Sequence, residues 1–351
     1  MNLAIDNRRL ICAFLSKLND KTPLRALIAY IVKNGSLPDF SKYHLISDSE
    51  FQEFYHNLTS NSAGIISVLD SIYPELLKQI YDPPGLIYYK GNKELLNKPK
   101  ISIIGGRNAS YSDLKFISEV AKFLAERDFI IVSGLANGVD TSAHQGAGPK
   151  NTIAVIASGL DICYPKQNYK LFEAIKNQGL VISESHFGCP PIAKLFPRRN
   201  RIIVGLSSLT IASNVKFKSG SMLTCRLVIE NNRELIVIPG SPNDIMHEGS
   251  NSLIKDGAQI FTSFKDLESY LGSLFLGNAN LCNEHSYAKN EIKEVEIRFQ
   301  EIIKLIPSNG VQMEELLMIS NIANHQLLEL VSEMEMEELI YVDFAKRIFL
   351  K

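Results

Sequence analysis

The sequence predicts an α/β fold: a mostly parallel sheet with helices on both faces, preceded by a small helical domain and followed by a winged-helix domain. Three observations lead there. Between residues 101 and 261, short apolar runs alternate with segments of helical periodicity, the pattern of strands joined by crossover helices. The apolar runs end in Gly, Ser or Pro clusters, where a parallel sheet carries its ligand-binding loops. Beyond residue 272 the chain turns polar and loses periodicity before a last apolar-periodic segment begins.

Residues 1–75 read as helical. Segments 7–18 and 23–33 carry apolar residues at helical spacing, and Asn34-Gly35 is a helix stop. Asp82-Pro83-Pro84-Gly85 is a turn, and residues 86–89 form a short strand. Strands follow over 101–104, 129–132, 152–156, 180–182, 209–211, 234–238 and 258–261. Helices are expected over 114–126, 169–177 and 222–231. The α/β domain spans 76–272, and residues 273–290 form a linker. Within 291–351, helices over 291–305, 313–319 and 323–335 precede a strand pair around 339–342 and 347–350, the pattern of a winged helix.

The composition excludes several classes. A chain of 351 residues, 45% hydrophobic, can bury the cores of two or three domains. No run of 18 apolar residues marks a membrane span, and the N-terminus lacks the basic-then-apolar order of a secretory signal. The five cysteines are odd in number and form no Cys-x-x-Cys pair, which argues against a disulfide framework and a zinc site. A reducing cytoplasm is the expected compartment, with no membrane association. The net charge of −1 hides an asymmetry. Residues 185–229 hold no Asp or Glu but seven cations: Lys194, Arg198, Arg199, Arg201, Lys216, Lys218 and Arg226. Residues 282–351 hold thirteen acids against seven bases. One segment suits a polyanion and the other repels it.

The chemistry concentrates at the strand ends. Gly105-Gly106-Arg107 lets the backbone approach a ligand and adds a cation, or is a plain tight turn. It is not the Gly-x-Gly-x-x-Gly of a dinucleotide site, and no cofactor is expected. Gly134 and Gly138 make a second close-approach loop. Asp140 and His144, four apart, share a helix face, either as an acid–base pair or as a helix cap plus a structural histidine. Phe196-Pro197-Arg198-Arg199-Asn200-Arg201 opens a helix with three arginines in its first turn. Cations there oppose the helix dipole by a few tenths to about 1 kcal/mol each, so an anion is expected at that end. The alternative is a solvated basic turn with salt bridges, for which residues 185–229 offer no acid. Lys216-Phe217-Lys218-Ser219-Gly220-Ser221 supplies hydroxyls and N–H groups for a phosphate, or Ser221 is only an N-cap. Phe196 and Phe217 either stack on bases or belong to the core. Several positive features along one sheet edge suit a strand with successive phosphates better than one mononucleotide.

These stretches, with Gly159-Leu160-Asp161, Tyr164-Pro165, Ser183-Glu184, Pro239-Gly240-Ser241 and Gly249-x-Asn251-x-Leu253-Ile254, resemble the DNA-processing protein A (DprA/Smf) family. The resemblance covers about 160 residues in order and spacing. It implies an extended Rossmann-like fold behind a SAM-like helical domain, no known catalysis and no metal. It further implies single-stranded DNA binding, delivery of that DNA to the RecA recombinase in natural transformation, and a homodimer through the α/β domain. It places DNA contacts on Arg107, Lys194, Phe196, Arg198, Arg199 and Arg201. Here Gly105, Gly106, Lys216, Lys218, Ser219, Gly220 and Ser221 join them, while Gly134, Gly138, Asp140, Pro239 and Gly240 shape the loops. The chain departs from the family pattern at Gly106, at Ala157-Ser158, at Ser250, and at Asn214, where a glutamate is usual. The acid-rich stretch 323–338, with five glutamates and no Lys or Arg, is unsuited to a DNA groove and points to a protein-contacting C-terminal domain. The rival function is a nucleotide-processing enzyme of the nucleoside monophosphate phosphoribohydrolase kind, a fold relative whose usual acid is missing here.

Overall fold

The computed structural model describes Ile31, Lys33 and residues 47–275, and residues 299–350 with breaks. The helix expected over 7–18, almost all of that over 23–33, and most of the expected linker lie outside the described residues. The chain divides into two compact units, Met1–Leu274 and Phe275–Lys351.

In the first unit the strands are β1 (Gly64–Ser67), β2 (Leu86–Gly91), β3 (Lys100–Gly105), β4 (Ile130–Ser133), β5 (Thr152–Ile156), β6 (Leu180–Ser183), β7 (Leu209–Ser213), β8 (Glu234–Val237) and β9 (Gln259–Ile260). They form one sheet in the order β1-β2-β6-β5-β4-β3-β7-β8-β9. The pairings from β6 to β9 are parallel, and β1 and β2 add an antiparallel margin. Every residue of β4, β5, β6 and β7 is buried, because helices cover both faces and leave no solvated side. This explains why their sequences read as continuous aliphatic runs and not as alternation. The helices are α1 (Asp48–Ser60), α2 (Glu75–Lys78), α3 (Tyr111–Ala125), α4 (Val139–Ala147), α5 (Tyr169–Gln178), α6 (Leu195–Leu206), α7 (Gly220–Glu230), α8 (Glu248–Lys255) and α9 (Phe264–Phe275).

Two boundaries differ from expectation. The sheet begins at Gly64, inside the stretch read as helical to residue 75, and Ile65 pairs with Tyr88 and Ile66 with Ile87. A four-residue run is too short for periodicity to separate strand from helix. At the other end, α9 extends past the expected linker start at residue 273. Aromatic packing anchors its first turn: Phe264 lies 5.0 Å from Phe123 and 5.8 Å from Phe116 between ring centroids, and Phe116 lies 5.4 Å from Phe261.

Winding fixes where a ligand can sit. From β3 the chain steps through β4, β5 and β6 to one side, then returns to place β7, β8 and β9 on the other. The reversal falls between β3 and β7, and a sheet wound this way carries its ligands at the C-terminal ends of the strands beside such a reversal.

The second unit contains a sheet of β10 (Val311–Gln312), β12 (Arg347–Leu350) and β11 (Ile340–Val342), in that order and antiparallel, and the helix α10 (Met313–Ser320). Ile302, Leu316, Leu327, Met334, Ile340 and Ile348 form its core. Most of the expected recognition helix over 323–338 lies outside the described residues.

Candidate nucleic-acid interface

Between the ends of β3 and β7 backbone packs on backbone. A Cβ added at Gly105 would meet the Ser213 carbonyl and the Val139 side chain, and one at Gly106 would lie 2.7 Å from the Asn214 carbonyl oxygen. Gly138 has φ +81°, and its Cβ would meet the Gly106 carbonyl and lie 2.6 Å from that of Arg107. These glycines therefore let three loops of the protein close on one another. This corrects the expectation that their bare faces are turned to a ligand. Gly138→Ala is expected to destabilise the unit by about 1–3 kcal/mol through its left-handed backbone alone, and to shift the Arg107 loop. Chemical denaturation reads the first effect, and the NMR shifts of the 105–108 amides read the second.

Asp140 shapes the adjoining loop by accepting hydrogen bonds from the Gly134 N–H (3.1 Å) and the Ala136 N–H (3.3 Å). Burial pushes its carboxyl above the usual carboxylate range, against the pull of Arg199 and these N–H groups. His144 is buried too, with Nδ1 2.6 Å from the Thr152 hydroxyl. Burial, aided by Arg199, lowers its pKa to about 3, so it is neutral at physiological pH. No hydrogen bond joins Asp140 to His144 among the described residues. Both side chains are closed off from solvent and bond to the protein's own loops and strand.

The three arginines of α6 separate by depth. Helical rotation sends Arg199 inward: it is 6% exposed and donates to the carbonyls of Gly134 and Val155, and to Asn200 Oδ1 at 3.1 Å. Its guanidinium occupies the space a side chain at position 134 would need, which accounts for Gly134. Arg201 is 8% exposed, bonded to the Asp82 carbonyl and to Glu184 Oε2 at 2.6 Å. Only Arg198 reaches solvent, its side chain 44% exposed even while it meets Glu184 Oε1 at 2.8 Å. The expectation that all three face an anion is thus corrected for Arg199 and Arg201, which brace the loops beneath. The sequence reading missed Glu184, the acid that pairs two of them. It stands just outside the acid-free stretch, at the end of β6, and only the sheet brings it beside α6.

Around this braced helix the surface is cationic. Arg107, Lys194, Arg198, Lys216 and Lys218 are exposed. Phe196 is half-buried: the Arg107 guanidinium carbon lies 5.8 Å from its ring centroid, and Tyr164 lies 5.6 Å away on centroids. Phe217, between the two lysines, is 47% exposed and is no part of the core. The helix dipole of α7 points its positive end into the same region. Ser219, not Ser221, is the N-cap, accepting from the Met222 N–H at 3.2 Å, while the Ser221 hydroxyl contacts that of Ser219 at 2.9 Å. Gly220 has nothing within 4 Å of an added Cβ, so here the backbone is open to a ligand. Asn200 ties α6 to α7 through Thr224 at 2.8 Å.

Asn214, where the family's glutamate is usual, donates to Asp113 Oδ2 at 2.8 Å and accepts from the Ser213 hydroxyl at 2.9 Å. A carboxylate there would face Asp113. Burial works against ionisation of Asp113, but hydrogen bonds from Ser110 and Asn214 outweigh it and hold its pKa below the ordinary value. At the end of β8, Pro239 leads into Gly240, whose N–H and carbonyl are both bonded by the Asn251 side chain, at 3.2 and 3.1 Å. The His247 ring fills the place of a Cβ on Gly240. Among the described residues no group of His, Cys, Asp and Glu could hold a metal ion, and no helix is long and apolar enough to cross a membrane.

The family model for DNA recombination-mediator protein A matches residues 64–272, from the first strand of the sheet into α9. The chain belongs to this family. The DNA processing protein DprA of Streptococcus pneumoniae is 42% identical over 229 residues, which cover 64% of this chain and 79% of that protein. The DprA of Bacillus subtilis is 34% identical, over 62% of this chain and 77% of its own. The solved structure of the pneumococcal protein superposes with a TM-score of 0.60 at 36% identity, covering 75% of this chain and 92% of that one. A structure of DNA processing protein A from Helicobacter pylori, described by its single-stranded DNA binding mode, gives 0.56 at 32% identity, covering 60% of this chain and 95% of that one. The α/β unit is thus the family's Rossmann-like fold.

Proposed function

We propose that this DNA recombination-mediator family member binds single-stranded DNA along the C-terminal edge of its sheet, without chemistry of its own. It protects that DNA and hands it to the RecA recombinase in transformation or recombination. One observation carries the reading: five exposed cations surround a half-buried aromatic ring and an open helix N-terminus at the switch point of the sheet. The family relative whose described subject is single-stranded DNA binding supports it. Of the site residues, Arg107, Lys194, Arg198, Lys216 and Lys218 meet phosphates, Gly220 and Ser221 offer α7's first turn, and Phe196 meets a base. Gly105, Gly106 and Arg199 hold the loops beneath them. The protein acts in the cytoplasm as a homodimer, and its acidic C-terminal domain contacts protein. The enzyme reading loses ground because Asp140 and His144 are both buried, bonded to the protein's own N–H groups and to Thr152, and turned to no open site.

Fluorescence anisotropy with labelled oligo-dT across a salt series tests this. Five phosphate contacts predict a log K that falls linearly with log salt, with a slope of roughly −3 to −4 for a single strand. Binding that ignores salt, or release of free base from a nucleoside monophosphate, overturns it. RecA filament formation on oligo-dT coated with single-strand-binding protein tests the delivery step, which fails if this protein does not speed it.

A further inference from the structure

We propose that Tyr164 is a second base-stacking residue, carrying the DNA path from Arg107 and Phe196 at the end of β3 sideways toward β5. The inference rests on the single-strand reading. Tyr164 lies in the loop after β5, and Phe196 in the first turn of α6. Their ring centroids are 5.6 Å apart with planes at 59°, and Arg107 lies on the Phe196 ring at 5.8 Å. Tyr164, Phe196 and Arg107 therefore make one surface that crosses the sheet edge from the end of β5 to the end of β3. Tyr164 is the more exposed of the two aromatic residues, at 44%. A large aromatic left this open beside cations leaves part of its apolar surface uncovered, where a base can lie on it.

The tilt matters. Two rings at 59° cannot lie within one continuous stack of bases. Each holds its own nucleobase, and the strand bends between them. Lys166, exposed two residues beyond Tyr164, lies where the bent backbone passes. The strand is then read as unstacked bases, so a duplex, whose bases are closed to such rings, is rejected. Any base has a π-face, so this contact discriminates by strandedness and not by sequence.

The test compares wild type with Tyr164→Ala and Tyr164→Phe, using oligo-dT and an oligonucleotide of equal length and charge with abasic sites. Loss of one stacked base predicts roughly ten-fold weaker oligo-dT binding for Tyr164→Ala. Tyr164→Phe keeps wild-type affinity, the salt slope is unchanged, and the difference between wild type and Tyr164→Ala vanishes on the abasic strand. Photocrosslinking of the wild type to a 5-iododeoxyuridine oligonucleotide gives an adduct at Tyr164 and needs no variant to fold. Wild-type affinity in a folded Tyr164→Ala, or adducts only at other residues, overturns the inference while leaving single-strand binding in place. Absence of wild-type binding to oligo-dT overturns both.

Discussion

Replacing Arg199 by alanine is expected to destabilise the α/β unit by about 3–5 kcal/mol, the usual cost of leaving one half of a buried charge arrangement behind. Arg199 looks from the sequence like any other cation of a basic helix turn. In the fold its guanidinium joins three elements: α6, which carries it, the loop after β4 through the Gly134 carbonyl, and β5 through the Val155 carbonyl. It also provides the positive charge that partly offsets the burial of Asp140. Burial lowers the Arg199 pKa to about 10, opposed by Asp140, so it remains a cation at neutral pH. Truncation removes the charge, strips two carbonyls of a donor and opens a void. Arg199→Lys keeps the charge but loses the second donor, the Nε–H that bonds Asn200 Oδ1, and should fall between alanine and wild type. Arg198→Ala, on a side chain 44% exposed, should cost no more than about 1 kcal/mol. Urea denaturation of the three variants checks this. Equal midpoints for Arg198→Ala and Arg199→Ala would show that depth does not separate the two residues.

How much of this was legible in the sequence follows from the range of each interaction. Buried parallel strands announce themselves locally, and residues 152–156 read as a strand from their own composition and are one. The edge where the strand-end loops gather was legible for the same reason: glycine and hydroxyl clusters close successive strands, and parallel topology puts those ends on one edge. The depth of each arginine was not legible. It depends on Glu184 and Asp82 for Arg198 and Arg201, and on the Gly134 and Val155 carbonyls for Arg199, all of which reach α6 only through the fold. The glycines were legible as positions of close approach, but not what approaches them. Gly134 answers to the Arg199 guanidinium 65 residues away in the chain. The antiparallel margin was hidden for another reason. Gly64–Ser67 is four residues long and becomes a strand only because Leu86–Ser67 pairing gives its backbone partners.

The largest effect on binding is expected from removing the exposed cations together, as Arg107→Ala/Lys194→Ala/Arg198→Ala. At roughly 0.7 counterions released per phosphate contact on a single strand, three lost contacts flatten the log–log salt dependence by about 2 units. The loss of affinity is therefore greatest in dilute salt and shrinks as salt rises. All three side chains lie at the surface, and among the described residues Arg198 alone of the three has a carboxylate partner, Glu184, which keeps Arg201. The triple variant should accordingly melt within a few degrees of wild type. Arg201→Ala separates the two kinds of cation. It leaves Glu184 with the exposed Arg198 alone and takes the donor from the half-buried Asp82 carbonyl, so stability falls, whereas the salt slope changes little because its guanidinium faces protein and not solvent. A triple variant that keeps the wild-type slope would place the DNA elsewhere on the molecule. A flattened slope for a folded Arg201→Ala would instead mean that the pair with Glu184 opens when DNA arrives, and that α6 brings a second arginine to the phosphates by exchanging one anion for another.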